Sequence, residues 1–345
     1  MKFLFYVSKK YSIPIVQPII EYLKNTDEEF ALFVSAKVKK NLPDELLSSW
    51  VLNNIYGAKK FKPDFVIVPG NFVDYRIPGL KVQIFHGLGV EKASHFKIRH
   101  FFDVYCTSGP YITKKFKQLK QKYRYFLVKE TGWPKIDHIL NFPTNNLHKK
   151  YNIPNNKKIV LFAPTHSNKM QSAEKLLPMI PDIVKQDEFW IIKFHELMKK
   201  EITEEFNSES VEVVDCYDIT PYLHLADVLI SDTSSVIYEF MLLDKPIITY
   251  KTVSRIDKGI NIKNKDQLRP ALNRSYAHPQ EFAQKRSKHI SEINPYTDGK
   301  ISCRLIQTLK KIKLQDLLPE KKKPLNLFRK LQILYHEKFK KGYLR

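Results

Sequence analysis

The chain has 345 residues, 43% of them hydrophobic and 12% aromatic, which is enough apolar material for two ordinary domains and excludes wholesale disorder. Its 58 Lys and Arg against 36 Asp and Glu leave a formal net charge of +22, so an anionic partner is expected: nucleic acid, an acidic polymer, nucleotide phosphates or a membrane surface. Cys106, Cys216 and Cys303 are dispersed and odd in number, which gives neither metal-ligand spacing nor a disulfide framework and points to a reduced, cytoplasmic setting.

Short apolar runs alternate with helical patterns along the whole chain. The opening run, Met1 to Ser8, is too short for a signal peptide, and no apolar stretch is long enough to cross a bilayer. Strands are predicted at Phe3–Val7, Phe30–Val34, Phe65–Val68, Val82–Phe85, Val104–Thr107 and Tyr125–Val128. Between them, Ile15–Lys24, Asp44–Asn53 and Ile112–Lys122 suit helices. A break follows, where Asn141 to Asn146 and Pro154 to Asn156 carry linker and turn chemistry. A second series of strands is predicted at Ile159–Phe162, Trp190–Phe194, Val211–Val214, Val228–Ile230 and Ile247–Tyr250, with helices at Ala173–Lys185 and Ile219–Ala226. Residues 280–313 read as helical, interrupted at Pro295. This alternation predicts α/β architecture, with two doubly wound parallel sheets. The expected domains are 1–145 and 146–313, followed by a basic amphipathic tail, 314–345.

Three features carry chemistry. The first is Ile230 to Glu239, where a short strand runs into Asp232-Thr233-Ser234-Ser235 and then an apolar helix closed by Lys245-Pro246-Ile247. Small hydroxyl side chains and free backbone N–H groups at a helix start make a phosphate site; the ordinary alternative is an Asp/Ser-capped helix. Glu239, one turn into that helix, suits ribose hydroxyls or is a solvated helix residue. The second feature is a pair of histidines, His86 and His195, each closing a predicted strand. Ligands bind at the carboxyl ends of strands in open α/β sheets, where an imidazole serves as a base or a phosphate partner. The third is a pair of turns, Ala163-Pro164-Thr165-His166-Ser167 with exposed hydroxyls and Gly132-Trp133-Pro134-Lys135-Ile136-Asp137, whose glycine lets a ligand approach the backbone. Gly87-Leu88-Gly89 lacks the third glycine of a dinucleotide fingerprint. No pair of Asp residues has metal spacing, so no metal is expected. His95 and His100, among Lys92, Lys97 and Arg99, are expected on a mobile basic loop.

In this order and spacing the motifs resemble the CDP-glycerol glycerophosphotransferases, the enzymes that build teichoic-acid-type chains. The residues that carry the resemblance are His86-Gly87, Gly132-Trp133-Pro134-Lys135-x-Asp137, Phe162-Ala163-Pro164-Thr165, His195-Glu196, and Asp232-Thr233-Ser234-Ser235 with Glu239 before Lys245-Pro246-Ile247. Leu88-Gly89 replaces the family's Thr-Pro, Glu196 replaces a Pro, and Glu239 replaces an Asp. The resemblance implies a GT-B-like fold, two Rossmann-like domains facing across a cleft, and metal-independent transfer from CDP-glycerol or a related CDP-polyol. His86 and His195 would be catalytic. Gly87, Gly132, Pro134, Thr165, Asp232, Thr233, Ser234, Ser235 and Glu239 would serve the donor. No cofactor is implied beyond the nucleotide-activated donor itself.

Three other readings stand beside it. One is a GT-B glycosyltransferase that uses a nucleotide sugar in capsule or cell-envelope polysaccharide synthesis. A second is a nucleotide-sugar epimerase of similar fold, weaker because the N-terminal half lacks an obvious set of acid/base carboxylates. The third is a non-catalytic, basic membrane- or nucleic-acid-binding protein, which explains the charge but leaves the histidines and the hydroxyl turn as accidents. The tail from Pro319 to Arg345 carries nine Lys and Arg against Glu320 and Glu337, with Leu327, Leu331, Leu334 and Tyr335 at helical spacing. Such a helix suits an anionic membrane surface, which implies a peripheral enzyme on the inner face of the membrane, a lipid-linked or polymeric acceptor, and no nucleic-acid partner.

Overall fold

The computed structural model describes residues 1–40, 42, 44–46, 50–52, 54–167, 170–204, 206, 211–317 and 319–339. Among them lie two fully parallel sheets. The first contains β1 (Lys2–Val7), β2 (Glu29–Val34), β3 (Val51–Leu52), β4 (Phe65–Val68), β5 (Leu80–Gln83), β6 (Val104–Thr107) and β7 (Leu127–Glu130), in the order β3-β2-β1-β4-β5-β6-β7. The second contains β8 (Lys158–Phe162), β9 (Glu188–Ile192), β10 (Val211–Val213), β11 (Val228–Ser231), β12 (Ile247–Tyr250) and β13 (Ile260–Ile262), in the order β10-β9-β8-β11-β12-β13. Helices cover both faces of a doubly wound parallel sheet, so the central strands are apolar throughout rather than alternating. Phe3, Leu4 and Phe5 of β1, and Val160, Leu161 and Phe162 of β8, are completely buried. In each sheet the strand order reverses once, at β1/β4 and at β8/β11. The crevice at the carboxyl ends of those strands is where such a fold binds ligands.

The chain divides into two compact units. The first comprises 1–86, 92–141 and 292–345; the second comprises 87–91 and 142–291. The first boundary falls at 141/142, inside the expected break. The second corrects the expected domain end at 313. Helix Ile301–Leu314 belongs to the first unit, where it packs on helices Ile13–Lys24 and Lys135–Leu140. The Asp137 carboxylate accepts the N–H groups of Ile301 (3.0 Å) and Ser302 (2.6 Å), capping that helix from outside it.

Local departures from the sequence reading have local causes. The expected helix Asp44–Asn53 is a single 3₁₀ turn, Asp44–Leu46, before the edge strand β3; residues 47–49 and 53 lie outside the described set. The expected helix Ala173–Lys185 is broken into Ala173–Leu176, a 3₁₀ turn and Ile180–Ile183 by Pro178 and Pro181, which cannot donate to the ladder. β7 begins two residues late because Arg124 takes a left-handed φ of +63° and Tyr125 and Phe126 turn into an aromatic cluster with Tyr105 and Tyr123.

Candidate active site

In the first unit the site is built around His86. β5 stops at Gln83, two residues earlier than expected, because Phe85 adopts φ +61°. For a bulky aromatic residue that conformation costs roughly 1–2 kcal/mol and needs outside support. The support is visible. The Phe85 carbonyl accepts the Trp133 indole N–H at 3.1 Å, and its ring stacks on His95 at 4.6 Å and meets Phe116 at 5.2 Å. Phe85 therefore stays buried while the next residue, His86, stands open to solvent.

One ring N–H of His86 donates to the Pro69 carbonyl, at the end of β4. The ring of Tyr11, just after β1, lies 5.7 Å away. His86 thus sits beside the β1/β4 reversal. Desolvation by the surrounding protein, then the charges of Arg99 and Lys92, hold its pKa below the ordinary 6.5; the Pro69 carbonyl opposes them. A neutral imidazole with one N–H held by a carbonyl has its second nitrogen available as an acceptor, which is the state a general base requires.

The loop expected to be mobile and basic is packed instead. Burial pushes the His95 pKa down to about 3, with His86 and Arg99 adding to the effect. The Arg99 guanidinium is spent on the carbonyls of Lys97 and Ser94, and His100 hydrogen-bonds the Tyr125 hydroxyl.

In the second unit, β8 and β11 flank the strand-order reversal, and the turns after both strands are tied together by Asp232. Its fully buried carboxylate accepts the Thr165 N–H (3.0 Å), the Ser172 N–H (2.9 Å) and the Ser172 hydroxyl (2.8 Å). This corrects two expectations. Asp232 is a staple whose oxygens are taken, and Thr165, expected to expose its hydroxyl, is 1% exposed. The helix after the turn is only Val236–Phe240, so its dipole is small. The hydroxyls survive as candidates: Thr233, Ser234 and Ser235 are half-buried, and Ser235 at the helix start makes no capping bond. The ordinary capped-helix alternative is thus not what forms. Glu239 is buried, not a solvated helix residue.

Gly87 closes on this turn. A β-carbon there would stand 3.0 Å from Ser235 Oγ, so a glycine is what lets the backbone approach. His195, after β9, is half-buried, and its Nδ1 accepts the Leu197 N–H at 3.1 Å. In the neutral ring the proton then sits on Nε2, which makes that nitrogen a donor suited to phosphate oxygen. Its ring lies 4.2 Å from that of His166, in the turn after β8. Sequence reasoning gave His166 no role of its own: it stands four residues after β8, in the turn quoted for its hydroxyls, whereas His86 and His195 each stand three residues after their strands.

Gly132 and Pro134, expected to serve the donor, are buried and belong to the first unit, whereas the hydroxyl turn belongs to the second. Gly132 has φ +89°, and a β-carbon on it would stand 2.8 Å from Ile301, so its need for glycine is one of packing. Among the described residues no group of three or more His, Cys, Asp or Glu side chains is arranged to hold a metal ion.

The model of one protein family, CDP-glycerol:poly(glycerophosphate) glycerophosphotransferase, matches residues 89–311. The match covers His195 and the Asp232 turn and begins just after His86 and Gly87. The teichoic acid glycerol-phosphate primase of Bacillus spizizenii is 36% identical over 110 residues, which cover 31% of this chain and 29% of that protein. The teichoic acid glycerol-phosphate transferase of Staphylococcus aureus is 25% identical over 238 residues, 60% of each chain. These matches thus span less than two thirds of either relative. The solved structure of the wall teichoic acid polymerase TagF superposes with a TM-score of 0.68 at 16% identity, covering 92% of this chain and 90% of that one. The UDP-GlcNAc 2-epimerase of Neisseria meningitidis gives 0.61 at 15% identity, covering 90% and 100%. At such identities the likeness establishes the fold.

Proposed function

This chain belongs to the CDP-glycerol:poly(glycerophosphate) glycerophosphotransferase family, and we propose that it acts as one, moving a glycerol-phosphate or related polyol-phosphate group from a CDP-activated donor to a hydroxyl of a lipid-linked or polymeric cell-surface glycan. The donor is assigned to the second unit and the attacking hydroxyl to His86. His86 takes the proton of the acceptor hydroxyl as that oxygen bonds to the β-phosphorus. The bond from the β-phosphorus to the bridging oxygen breaks, and CMP leaves with the bonding pair. Its charge is met by the backbone N–H groups and hydroxyls of Thr233, Ser234 and Ser235, and by His195 Nε2–H. Fixed donors of this kind are usually the largest catalytic contribution in such a reaction. Gly87 lets the backbone close on the Ser235 hydroxyl, and Glu239 is assigned to the ribose.

The observation that supports this reading is His86 itself: exposed, its pKa held below the ordinary 6.5, and hydrogen-bonded to the Pro69 carbonyl through one ring nitrogen. The test is CMP release from CDP-glycerol, CDP-ribitol and a panel of nucleotide sugars, with a glycerol-phosphate-primed lipid as acceptor. Acceptor-dependent CMP release from a CDP-polyol supports the reading. Turnover of a nucleotide sugar alone would replace it with the glycosyltransferase alternative.

We also assign the enzyme to the cytoplasmic face of the membrane as a peripheral protein. No helix among the described residues is long and apolar enough to cross a bilayer. Helix Leu327–Phe339 turns an apolar stripe outward: Leu327, Phe328, Leu331 and Tyr335 are 62, 80, 64 and 52% exposed, whereas Ile333 is buried. The segment before it is pinned to the first unit. The Lys321 N–H reaches the Arg124 carbonyl, and Lys323 pairs with Asp103 at 2.7 Å. A docked tail with an uncovered apolar and basic helix suits anionic lipid.

A further inference from the structure

The motif Gly132 to Asp137 is only partly explained by packing. Gly132 clears Ile301, and Asp137 caps helix Ile301–Leu314. Neither task needs the indole of Trp133. The Trp133 backbone N–H is already engaged by Asn294 Oδ1, at 3.2 Å. The indole N–H goes elsewhere, 48 residues back along the chain, to the carbonyl of Phe85. Phe85 is the residue with the left-handed φ, and it precedes His86.

We infer that Trp133 is a positioning residue for the reaction: by holding the Phe85 carbonyl it keeps the strained turn in place, and so aims the His86 imidazole at the acceptor hydroxyl. The physical logic is direct. A non-glycine residue in the left-handed region relaxes toward the extended region unless something holds it. A change in φ swings the Phe85 carbonyl about the N–Cα bond, and the His86 Cα moves with it. The Phe85 ring cannot hold the turn alone, because aromatic stacking fixes the side chain and not the direction of the carbonyl. The indole N–H is 1% exposed with its residue, so no water stands ready to replace it. A misplacement of a catalytic group by about 1 Å can cost on the order of 100-fold in rate.

The inference rests on the reading of His86 as the base, and the experiment separates the two. Trp133→Phe keeps the ring and removes the N–H. Wild type, W133F, H86A and the double variant are compared for kcat and donor KM, and the His86 imidazole is titrated by NMR in wild type and W133F. The expected result is a kcat loss of about ten-fold or more in W133F, with donor KM unchanged. Little further loss is expected when the change is made in the H86A background, because Trp133 acts through His86. The His86 titration should move up toward 6.5 as the ring leaves the surroundings, Arg99 and Lys92 among them, that hold its pKa down. Full activity in H86A overturns the reading of the base, whatever Trp133 does. An impaired H86A beside a W133F with wild-type kcat and titration overturns the positioning role alone, as does a W133F loss that is fully additive with H86A.

Discussion

The Lys258 ammonium and the Glu91 carboxylate meet at 2.5 Å with only 1% and 7% of their side chains exposed. Glu91 closes the segment 87–91, which begins one residue after His86 and belongs to the second unit. The same carboxylate oxygen accepts the hydroxyl of Tyr238, on the short helix that follows the hydroxyl turn. Burial lowers the Lys258 pKa, and Glu91 opposes that. The pair fastens segment 87–91 to its unit.

Lys258→Met should therefore destabilise the protein by about 3–5 kcal/mol, since it leaves a buried carboxylate without its cation. Lys258→Met combined with Glu91→Leu should recover much of that loss, because both charges are then gone. Urea unfolding of the single and double variants checks this. A single variant as stable as wild type would mean that the ion pair is dispensable.

Stability should fall on mild acidification. His95 binds its proton only near pH 3 when folded, but near 6.5 when unfolded. Between those values the unfolded chain holds more protons, so stability rises with pH and is lost as pH drops through that window. At pH 5 the loss from this group is about 1–2 kcal/mol. His95→Phe keeps a ring against Phe85 and removes the proton site. Its stability between pH 7 and pH 5 should change less than that of wild type, as thermal unfolding at the two pH values will show.

His86→Ala should lower kcat by ~10²–10⁴-fold while nucleotide affinity by calorimetry stays near wild type. A base must be neutral to act. Because the His86 pKa lies below 6.5, the acidic limb of kcat/KM in wild type should bend below pH 6.5. A limb at or above 6.5 would point to another group.

Ser235→Ala and His195→Ala should each weaken donor binding by about 1–3 kcal/mol, the worth of a hydrogen bond to a charged group, with little change in melting temperature. Asp232→Ala should do the reverse in kind. It orphans the N–H groups of Thr165 and Ser172 and the Ser172 hydroxyl, so the loss of fold stability should be at least about 3 kcal/mol. Calorimetry and thermal melts on the three variants distinguish the two classes.

Most strands were legible because each is a short apolar run bounded by polar or turn residues; Phe65–Val68 and Ile247–Tyr250 match to the residue. β3, with two residues, is too short for any period to register, and β13, with three, was missed although β10, equally short, was read. His86 and His195 could be singled out because strand ends are readable. What a side chain binds was not. Asp232 looked like part of an anion site, yet its partners, Thr165 and Ser172, lie 67 and 60 residues away in sequence. Gly132 looked like room for a ligand, and the room is filled by Ile301. The domain end at 313 was misplaced for the same reason: helical periodicity shows that Ile301–Leu314 is a helix but not which sheet it covers.

The tail offers the last test. Its first residues are structural: Glu320 pairs with Arg124, Lys323 with Asp103, and the Asn326 side chain reaches the Arg99 carbonyl. A cut at residue 320 would remove those contacts along with the helix and confuse two effects. A cut after Asn326 keeps them and removes the helix with its exposed Leu327, Phe328, Leu331 and Tyr335. Within the helix, Arg329 lies 5.8 Å over Phe101 and Lys330 5.2 Å over Tyr75, so part of its charge faces the protein. Each basic residue near an anionic surface adds about 1 kcal/mol, and each buried apolar side chain adds about 1.5–3. The chain ending at Asn326 should thus bind phosphatidylglycerol vesicles far more weakly than the full chain in a flotation assay. Its melting temperature and CMP affinity should stay close to those of the full chain. Leu331→Glu in the full chain should also reduce binding, since it puts a charge into the apolar stripe without shortening anything. Unchanged vesicle binding in both variants would move the membrane contact to other basic surfaces.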